Sequence, residues 1–293
     1  MGNASRRHFL AFGAALPLAA AAKKTREPAA PRGLLAGKIA VLYGAAGDIG
    51  SGVARAFAAE GAHVCLTGLT LAKVERLAQE ITASGGRAEP ARVDALDADA
   101  VGKHLDDVVA RLGRVDIAFN LINLGGPQGM PLTEMKMGEF LQPIDVAMRT
   151  QFITGTAVGR HMTRQKSGVI LALTAQVARK PYTNSGGFGV ACAAIEGLCR
   201  QLAIELGSSN VRVVTLRSSG SPDAAGVSHA IEEHARAAGV TLEEFKARIA
   251  EKTMLKRMPA VAEVASAAVL MASDRASAVT AAVTNLTCGE IAD

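Results

Sequence analysis

Three evenly spaced glycines form the part of this sequence best suited to binding a phosphate group. Gly44, Gly47 and Gly50 follow the apolar run Ile39–Tyr43, and apolar residues at helical spacing come after them. Glycine lets the backbone approach a pyrophosphate closely, and the first turn of a helix supplies unpaired N–H groups and partial positive charge. This strand, turn and helix start, with Ile49 in the turn, predict the first half of a dinucleotide-binding βαβ unit.

An acidic residue, Asp48, stands inside this glycine turn. One interpretation is that its carboxylate repels a pyrophosphate, by about 1–3 kcal/mol at ~5 Å and an effective dielectric constant of 20–80. The other is that Asp48 caps the following helix and occupies the N–H groups that a phosphate would use. Both interpretations predict weakened dinucleotide binding.

Strand-like and helix-like segments alternate along the rest of the chain. Strands are expected near residues 62–67, 88–93, 115–119, 168–173, 211–216 and 282–286, and helices near 71–83, 98–112, 134–141, 146–164, 187–206 and 261–271. This alternation predicts an α/β fold: one Rossmann-type domain over residues 38–293, with a doubly wound parallel sheet and helices on both faces.

The alternation stops between residues 218 and 258, where two short amphipathic helices are expected near 227–237 and 242–252. Such an insertion at the C-terminal end of a strand predicts a helical lid over the ligand crevice. The alternative is a surface excursion with no lid role. His229 and His234 lie in the insertion without a carboxylate pattern that marks metal ligands, so both are predicted to be solvated.

Composition limits the classes of partner. The chain is 49% hydrophobic, which favours a folded domain, and only 3% aromatic without Trp, which disfavours stacking platforms for nucleic-acid bases. The net charge of +5 comes from dispersed basic residues, so no nucleic-acid partner is expected. The four cysteines lack zinc-site spacing, so no metal is expected.

The N-terminal segment has features of a targeting signal. Arg6 and Arg7 precede Phe9 and Leu10, and a weakly apolar run continues to a small-residue cleavage site, a pattern that resembles a bacterial Tat export signal. Residues 1–22 are therefore predicted to be a signal peptide, 23–37 a linker, and the mature protein periplasmic. The apolar run is too short to span a bilayer, so no membrane association is expected after its removal. The alternative is an uncleaved basic tail on a cytoplasmic protein.

Residues 38–289 as a whole resemble the short-chain dehydrogenase/reductase family. The resemblance is carried by YGAAGDIG, the Asp94 after the third strand, VDIAFNLI, FGVACAAIEGLCRQLAIEL and LKRMPAVAEVASAAVLMASDRASAVT. It implies oxidoreductase ancestry and NAD or NADP as cofactor. It also implies cofactor contacts from the glycine turn, Asp94 and Asn120. Gly68 and Leu69 stand where this family places a residue that selects between NAD and NADP.

The resemblance also implies an Asn, Ser, Tyr and Lys catalytic set, and the matching positions hold other residues. The Tyr position is Phe188, the Lys position Cys192, the Ser position Ala175 and the Asn position Ala147. Phe has no proton to give, a neutral thiol brings no cation, and Ala makes no side-chain hydrogen bond. One positioned acid–base group is worth about 10²–10⁴ in rate, so family-type catalysis is predicted to be lost or replaced.

Three hypotheses follow for the function. The first is a non-catalytic member that binds a nucleotide or another small molecule. The second is an active NAD(P)-dependent oxidoreductase with relocated groups, for which Tyr182 and a nucleophilic Cys192 are the candidates; the alternative for Cys192 and Cys199 is buried structural thiols. The third is a structural partner of an active paralogue. The resemblance implies homo- or hetero-oligomers formed through the helices near 146–164 and 187–206.

Overall fold

Seven parallel strands form the centre of the molecule. A computed structural model describes residues 33–292, all of which fall in one compact unit. The strands are β1 Ile39–Tyr43, β2 His63–Gly68, β3 Arg87–Arg92, β4 Ile117–Asn120, β5 Gly168–Ala175, β6 Val211–Ser218 and β7 Ala282–Leu286. Their order in the sheet is β3-β2-β1-β4-β5-β6-β7. The order reverses between β1 and β4, so a ligand crevice is expected outside the carboxyl ends of these strands.

Helices cover both faces of the sheet. They are α1 Asp48–Ala59, α2 Leu71–Ala83, α3 Ala98–Leu112, α4 Met137–Gln165, α5 Gly186–Leu206, α6 Ala225–Ala237, α7 Leu242–Lys252 and α8 Val261–Ala272. Strand β1 shows why two layers form: Val41 and Tyr43 belong to the apolar cluster under α3, α4 and α5, whereas Ala40 and Leu42 belong to the one under α1, α2 and α8. An apolar strand buried on both sides is typical of a parallel sheet. The predicted Rossmann-type fold is confirmed.

One predicted break between helices is wrong. The helices expected near 134–141 and 146–164 are a single helix, α4, which contains Pro143. Proline removes one backbone hydrogen bond from a helix. Here the ring of Pro143 packs closely against Gly126 and Gly187, where an added Cβ would lie 2.8 Å and 3.0 Å from ring carbons. This packing offsets the lost hydrogen bond, and sequence periodicity does not reveal it.

Helix α5 lies in the interior of the fold. Together with the turn up to Ser209 it is long and apolar enough to cross a bilayer, a property that it shares with core helices of soluble proteins. It packs against α4, β5 and β6, and its buried face includes Ile195 and Leu202. Its apolar composition is therefore accounted for by the core.

The N-terminal predictions fall mostly outside the described residues. The predicted signal peptide, 1–22, and residues 23–32 of the predicted linker lie outside them. The remaining residues of that linker, 33–37, pack on the domain. Leu35 is fully buried, and its N–H donates to the carbonyl of Glu60 at 3.0 Å.

The two helices of the insertion are present where the sequence predicted them. Helices α6 and α7 lie between β6 and α8. Thr241 caps α7: its Oγ1 accepts the N–H of Glu244 at 3.2 Å, and the Glu244 carboxylate accepts the N–H of Thr241 at 2.9 Å. The insertion begins after the carboxyl end of β6, and we call α6 and α7 the lid for this position alone.

Candidate functional site

The glycine turn between β1 and α1 is built by contacts within the chain. Gly44 has φ +73°, and a Cβ there would lie 2.9 Å from the carbonyl oxygen of Leu121. A Cβ at Gly50 would overlap the carbonyl oxygen of Gly44. Gly47 differs, because it is exposed and its nearest Cβ contact would be an ordinary 3.5 Å. Two of the three glycines are thus required by the packing of the fold itself.

Asp48 contacts the lid instead of its own helix. Gly47 is the N-cap residue of α1, and the Asp48 carboxylate accepts the N–H of Gly226, in the first turn of α6, at 3.0 Å. Asn123 lies at the same place, since a Cβ on Gly226 would be 3.9 Å from its Nδ2. The interpretation of Asp48 as the cap of α1 is therefore wrong. An exposed carboxylate in this turn would repel a dinucleotide pyrophosphate.

The other predicted cofactor residues make contacts within the chain. Asp94 is exposed, and its Oδ1 accepts the N–H of Leu96 at 2.9 Å. Asn120 is buried; its Nδ2 donates to Thr154 Oγ1 at 3.2 Å and its Oδ1 accepts the N–H of Ile122 at 3.1 Å. Asn120 therefore joins β4 to α4. Ile49 is partly buried and packs against the apolar cluster under α1.

The four positions of the implied catalytic set meet in one apolar cluster. Ala147 on α4 and Cys192 on α5 are buried, with 0% and 1% exposure. Ala175 at the end of β5 and Phe188 on α5 are partly buried and pack against the same cluster. The structure therefore brings together the positions that the sequence pattern identified, and the side chains there form part of the core under α3, α4 and α5.

The thiols in this region have the properties of buried structural groups. Burial raises the pKa of Cys192 to about 12, against a smaller lowering by a hydrogen bond with the backbone of Ala175. Burial likewise raises the pKa of Cys199 to about 11. A thiol with so high a pKa is a poor nucleophile at neutral pH. Both thiols are buried, as the structural interpretation predicts.

A buried ion pair next to this cluster was not predicted. Arg217 at the end of β6 donates from Nε and Nη2 to the two oxygens of Glu196 on α5, each at 2.8 Å. Thr174 Oγ1 donates to Glu196 Oε1 at 3.1 Å. Glu196 is one helical turn after Cys192, so the pair lies close to the implied lysine position. The only signal in the sequence is that Glu196 and Arg217, which carry opposite charges, stand at positions where the pattern of apolar residues predicts burial.

A second cluster joins the lid to the loops after β4 and β5. His234 on α6 is hydrogen bonded through Nε2 to Gln128 Oε1 at 3.0 Å. Its ring centroid is 5.3 Å from that of Tyr182, in an edge contact, and 6.2 Å from that of Phe245 on α7, nearly parallel to it. Burial raises the pKa of Tyr182 and lowers that of His234. The prediction that His234 is solvated is wrong, because the ring packs between the two helices and the loops.

His229 fits its prediction, since its side chain is 71% exposed. The difference between the two histidines comes from helix geometry. They are five residues apart on α6, so they lie on different faces of the helix, and only one face meets the rest of the domain.

Comparison with known proteins gives a consistent match. Residues 44–289 match a family model described as enoyl-(acyl carrier protein) reductase. The chain is 27% identical over 257 residues to 7alpha-hydroxysteroid dehydrogenase from Escherichia coli strain K12, covering 88% of this chain and 95% of that one.

Solved structures agree with the architecture. A sorbitol-6-phosphate 2-dehydrogenase from Erwinia amylovora superposes with a TM-score of 0.81 over 87% of this chain and all of that one, at 24% identity, and supports the fold alone. A 7alpha-hydroxysteroid dehydrogenase complexed with NADH and 7-oxo glycochenodeoxycholic acid superposes with a TM-score of 0.76 at 25% identity. That match covers 88% of this chain and 96% of the other.

Proposed function

The chain belongs to the short-chain dehydrogenase/reductase family, and we propose that it is a non-catalytic member that binds a small ligand in the crevice at the carboxyl edge of the sheet. The proposal rests on one observation. The sequence resemblance assigns the family's catalytic set to Ala147, Ala175, Phe188 and Cys192, and these four residues pack into one apolar cluster.

The chemistry of these side chains argues against hydride transfer coupled to proton transfer. Phe188 has no dissociable proton, and the Cys192 thiol stays neutral near pH 7 because burial raises its pKa to about 12. The nearby Arg217 guanidinium donates hydrogen bonds to both oxygens of the Glu196 carboxylate, so the positive charge of Arg217 is compensated. The partly exposed Ala175 and Phe188 offer an apolar surface to a small ligand, whereas Ala147 and Cys192 are buried in the core.

We propose that NAD or NADP binds weakly at best. A nucleotide in this crevice is supported by the NADH in the related hydroxysteroid dehydrogenase structure, whereas the Asp48 carboxylate opposes a diphosphate. The test is titration of the purified full chain with NADH and NADPH, followed by fluorescence, alongside an assay for oxidation or reduction of common alcohols and ketones. We expect no turnover. Measurable turnover by the wild-type chain would overturn the proposal.

A reconstruction variant tests the same proposal from the other side. We expect Phe188→Tyr combined with Cys192→Lys to stay inactive, because Ala147 and Ala175 still lack polar groups and a lysine at buried position 192 is costly to ionise. Phe152→Tyr on the exposed surface of α4 is the matched control for the added hydroxyl. Reductase activity in the double variant, but not in the control, would contradict the proposal.

The second candidate function is an active oxidoreductase with relocated groups, and the cluster of Tyr182 and His234 favours it. Besides burial, the negative charge of Glu290 raises the pKa of Tyr182, and Lys180 pairs with Glu290 at 3.9 Å. However, burial raises the pKa of Tyr182, whereas a catalytic tyrosine of this family needs a neighbouring cation to lower it. If the wild-type chain shows turnover, its loss in Tyr182→Phe identifies this candidate.

The third candidate function, a structural partner, is favoured by exposed apolar side chains on α4 and α5. These residues are Met137, Leu141, Phe152, Val190 and Ile204, with exposures of 45% to 77%. We propose that these faces form a homo-oligomer, or a hetero-oligomer with a family member. Sedimentation should then show that Phe152→Glu with Ile204→Glu dissociates the assembly, whereas Leu69→Glu, at an exposed apolar residue after β2, does not.

We also propose export through the Tat pathway to the periplasm. The proposal rests on the pattern around Arg6 and Arg7. Replacing both with Lys should retain the protein in the cytoplasm of a bacterial host, which cell fractionation measures. Export of this variant at the wild-type level would overturn the Tat assignment, whereas a wild-type protein found only in the cytoplasm would support the cytoplasmic alternative.

A further inference from the structure

The first turns of three helices lie near the glycine turn. Helix α1 starts at Asp48, whose carboxylate is 3.0 Å from the N–H of Gly226 in the first turn of α6. Helix α8 starts at Val261, and a Cβ on Gly52 of α1 would lie 2.5 Å from its Cγ1. Helix N-termini carry partial positive charge and unpaired N–H groups. Their convergence therefore makes this place favourable for anions.

The chain places its own carboxylates at these helix starts. The N-cap residues of α6 and α8 are Ala224 and Ala260, and alanine has no side-chain acceptor for the first N–H groups. Asp48 supplies the acceptor for α6, and Asp223 supplies it for α8, with both oxygens 3.1 Å from the N–H of Val261. Each cap comes from a different segment of the chain, so each one fastens the lid segment to the sheet domain.

We propose that the Asp48 carboxylate stands in for a ligand phosphate. It holds the first turn of α6 onto the glycine turn, and it selects against ligands that bring a diphosphate to this point. This inference rests on the proposed function, in which the crevice binds a small molecule, and it specifies the class: a ligand that is not an anion at the end facing the turn. Asp48 is thus a specificity-determining residue.

The effect of the charge is large enough to measure. A phosphate at the turn would lie about 5 Å from the carboxylate, and at an effective dielectric constant of roughly 40–80 the repulsion lowers affinity by roughly tenfold. Salt screening reduces this effect because Asp48 is exposed. Asparagine removes the charge and keeps an oxygen that accepts the N–H of Gly226, so Asp48→Asn separates the electrostatic effect from the hydrogen bond.

The test is calorimetric titration of the full chain with inorganic pyrophosphate at low salt. We expect Asp48→Asn to bind pyrophosphate roughly tenfold more tightly than the wild type. Asp99→Asn is the matched control, because Asp99 is also an exposed acid in the first turn of a helix, α3, and should change affinity less than twofold. Unchanged or weaker binding in Asp48→Asn would overturn the proposal, as would equal gains in both variants.

Hydrogen exchange tests the lid contact separately from any ligand. In Asp48→Ala the amide of Gly226 should exchange at least several-fold faster, whereas the amide of Val261, capped by Asp223, should not change. Unaltered exchange at Gly226 would refute the contact. Neither the pyrophosphate titration nor the exchange experiment depends on turnover. Activity of the wild-type chain would therefore contradict the proposed function, while these two experiments would still test the role of Asp48.

Discussion

The glycine turn before α1 and the start of α5 lie at the same edge of the sheet, but different constraints define them. At the turn, Gly44 and Gly50 contact backbone atoms so closely that a side chain has no room. At the start of α5, the side chains of Phe188 and Cys192 are held by packing in an apolar cluster. The first region depends on backbone geometry and the second on side-chain chemistry.

Because of this difference, the glycine turn is needed for the fold independently of any ligand. Gly44 and Gly50 are needed for the β1–α1 connection and its contact with the segment after β4, whether or not a nucleotide binds. Polar groups in a catalytic site have no such role, and apolar replacements can pack well in their place. A glycine pattern is thus stronger evidence for the fold than for the cofactor.

The largest expected effect concerns the ion pair beside the second region. Replacing Arg217 with Met leaves the Glu196 carboxylate buried without its bidentate partner, and we expect a loss of about 3–5 kcal/mol in the free energy of unfolding. Urea denaturation measures it. The result would show that the ion pair between α5 and β6 is required for stability.

The matched control replaces both partners. Arg217→Met with Glu196→Leu removes both buried charges, and the double variant should recover most of the loss because apolar side chains can fill the same space. If the double variant is as unstable as Arg217→Met alone, the destabilisation does not come from an unpaired charge.

A smaller effect is expected at the turn. Gly50→Ala should lower the free energy of unfolding by about 3 kcal/mol, since the added methyl group overlaps the carbonyl oxygen of Gly44. Gly47→Ala is the control and should cost less than about 1 kcal/mol, because its nearest contact would be 3.5 Å. Equal losses in a denaturation experiment would mean that the turn is not defined by packing.

The sequence predicts the elements well because each depends on local patterns. The apolar run before Gly44 predicts β1 to the residue, and the helical spacing predicts α2, α3 and α7 with the same bounds as the structure. The predicted break at Pro143 is wrong because the proline ring packs against Gly126 and Gly187, which offsets the lost backbone hydrogen bond. Gly126 lies in the loop before α4 and Gly187 lies on α5, so a local pattern does not reveal this packing.

The features of the site that were missed depend on contacts between distant residues. Asp48 and Gly226 are 178 positions apart, and no local pattern links a helix start to a lid helix that comes so much later. Glu196 and Arg217 come from different elements, so their pairing becomes visible only when α5 packs on β6. The burial of His234 is not visible in the sequence, because it depends on how α6 and α7 fold back onto the loops after β4 and β5.

The smallest expected effect is a pH dependence of the lid. Burial lowers the pKa of His234 below its usual 6.5, although the charge of Glu233 acts in the opposite direction. Well above pH 6.5 the imidazole is neutral in the folded and in the unfolded chain, and the contribution of the packed ring to the free energy of unfolding is fully present. As the pH falls below 6.5, the unfolded chain takes up a proton that the packed ring binds less readily, so stability is lost toward the lower pKa of the folded state.

Comparison with His234→Phe isolates this contribution. Burial also lowers the pKa of His104 and of His161, so both proteins lose stability on acidification, but the variant lacks the His234 part and should lose less between pH 7 and pH 5. Phenylalanine keeps a ring against Phe245 and gives up the hydrogen bond with Gln128. Parallel stability curves for the two proteins would mean that the buried imidazole is not the group that titrates, and the lid would then resemble the glycine turn in depending on packing alone.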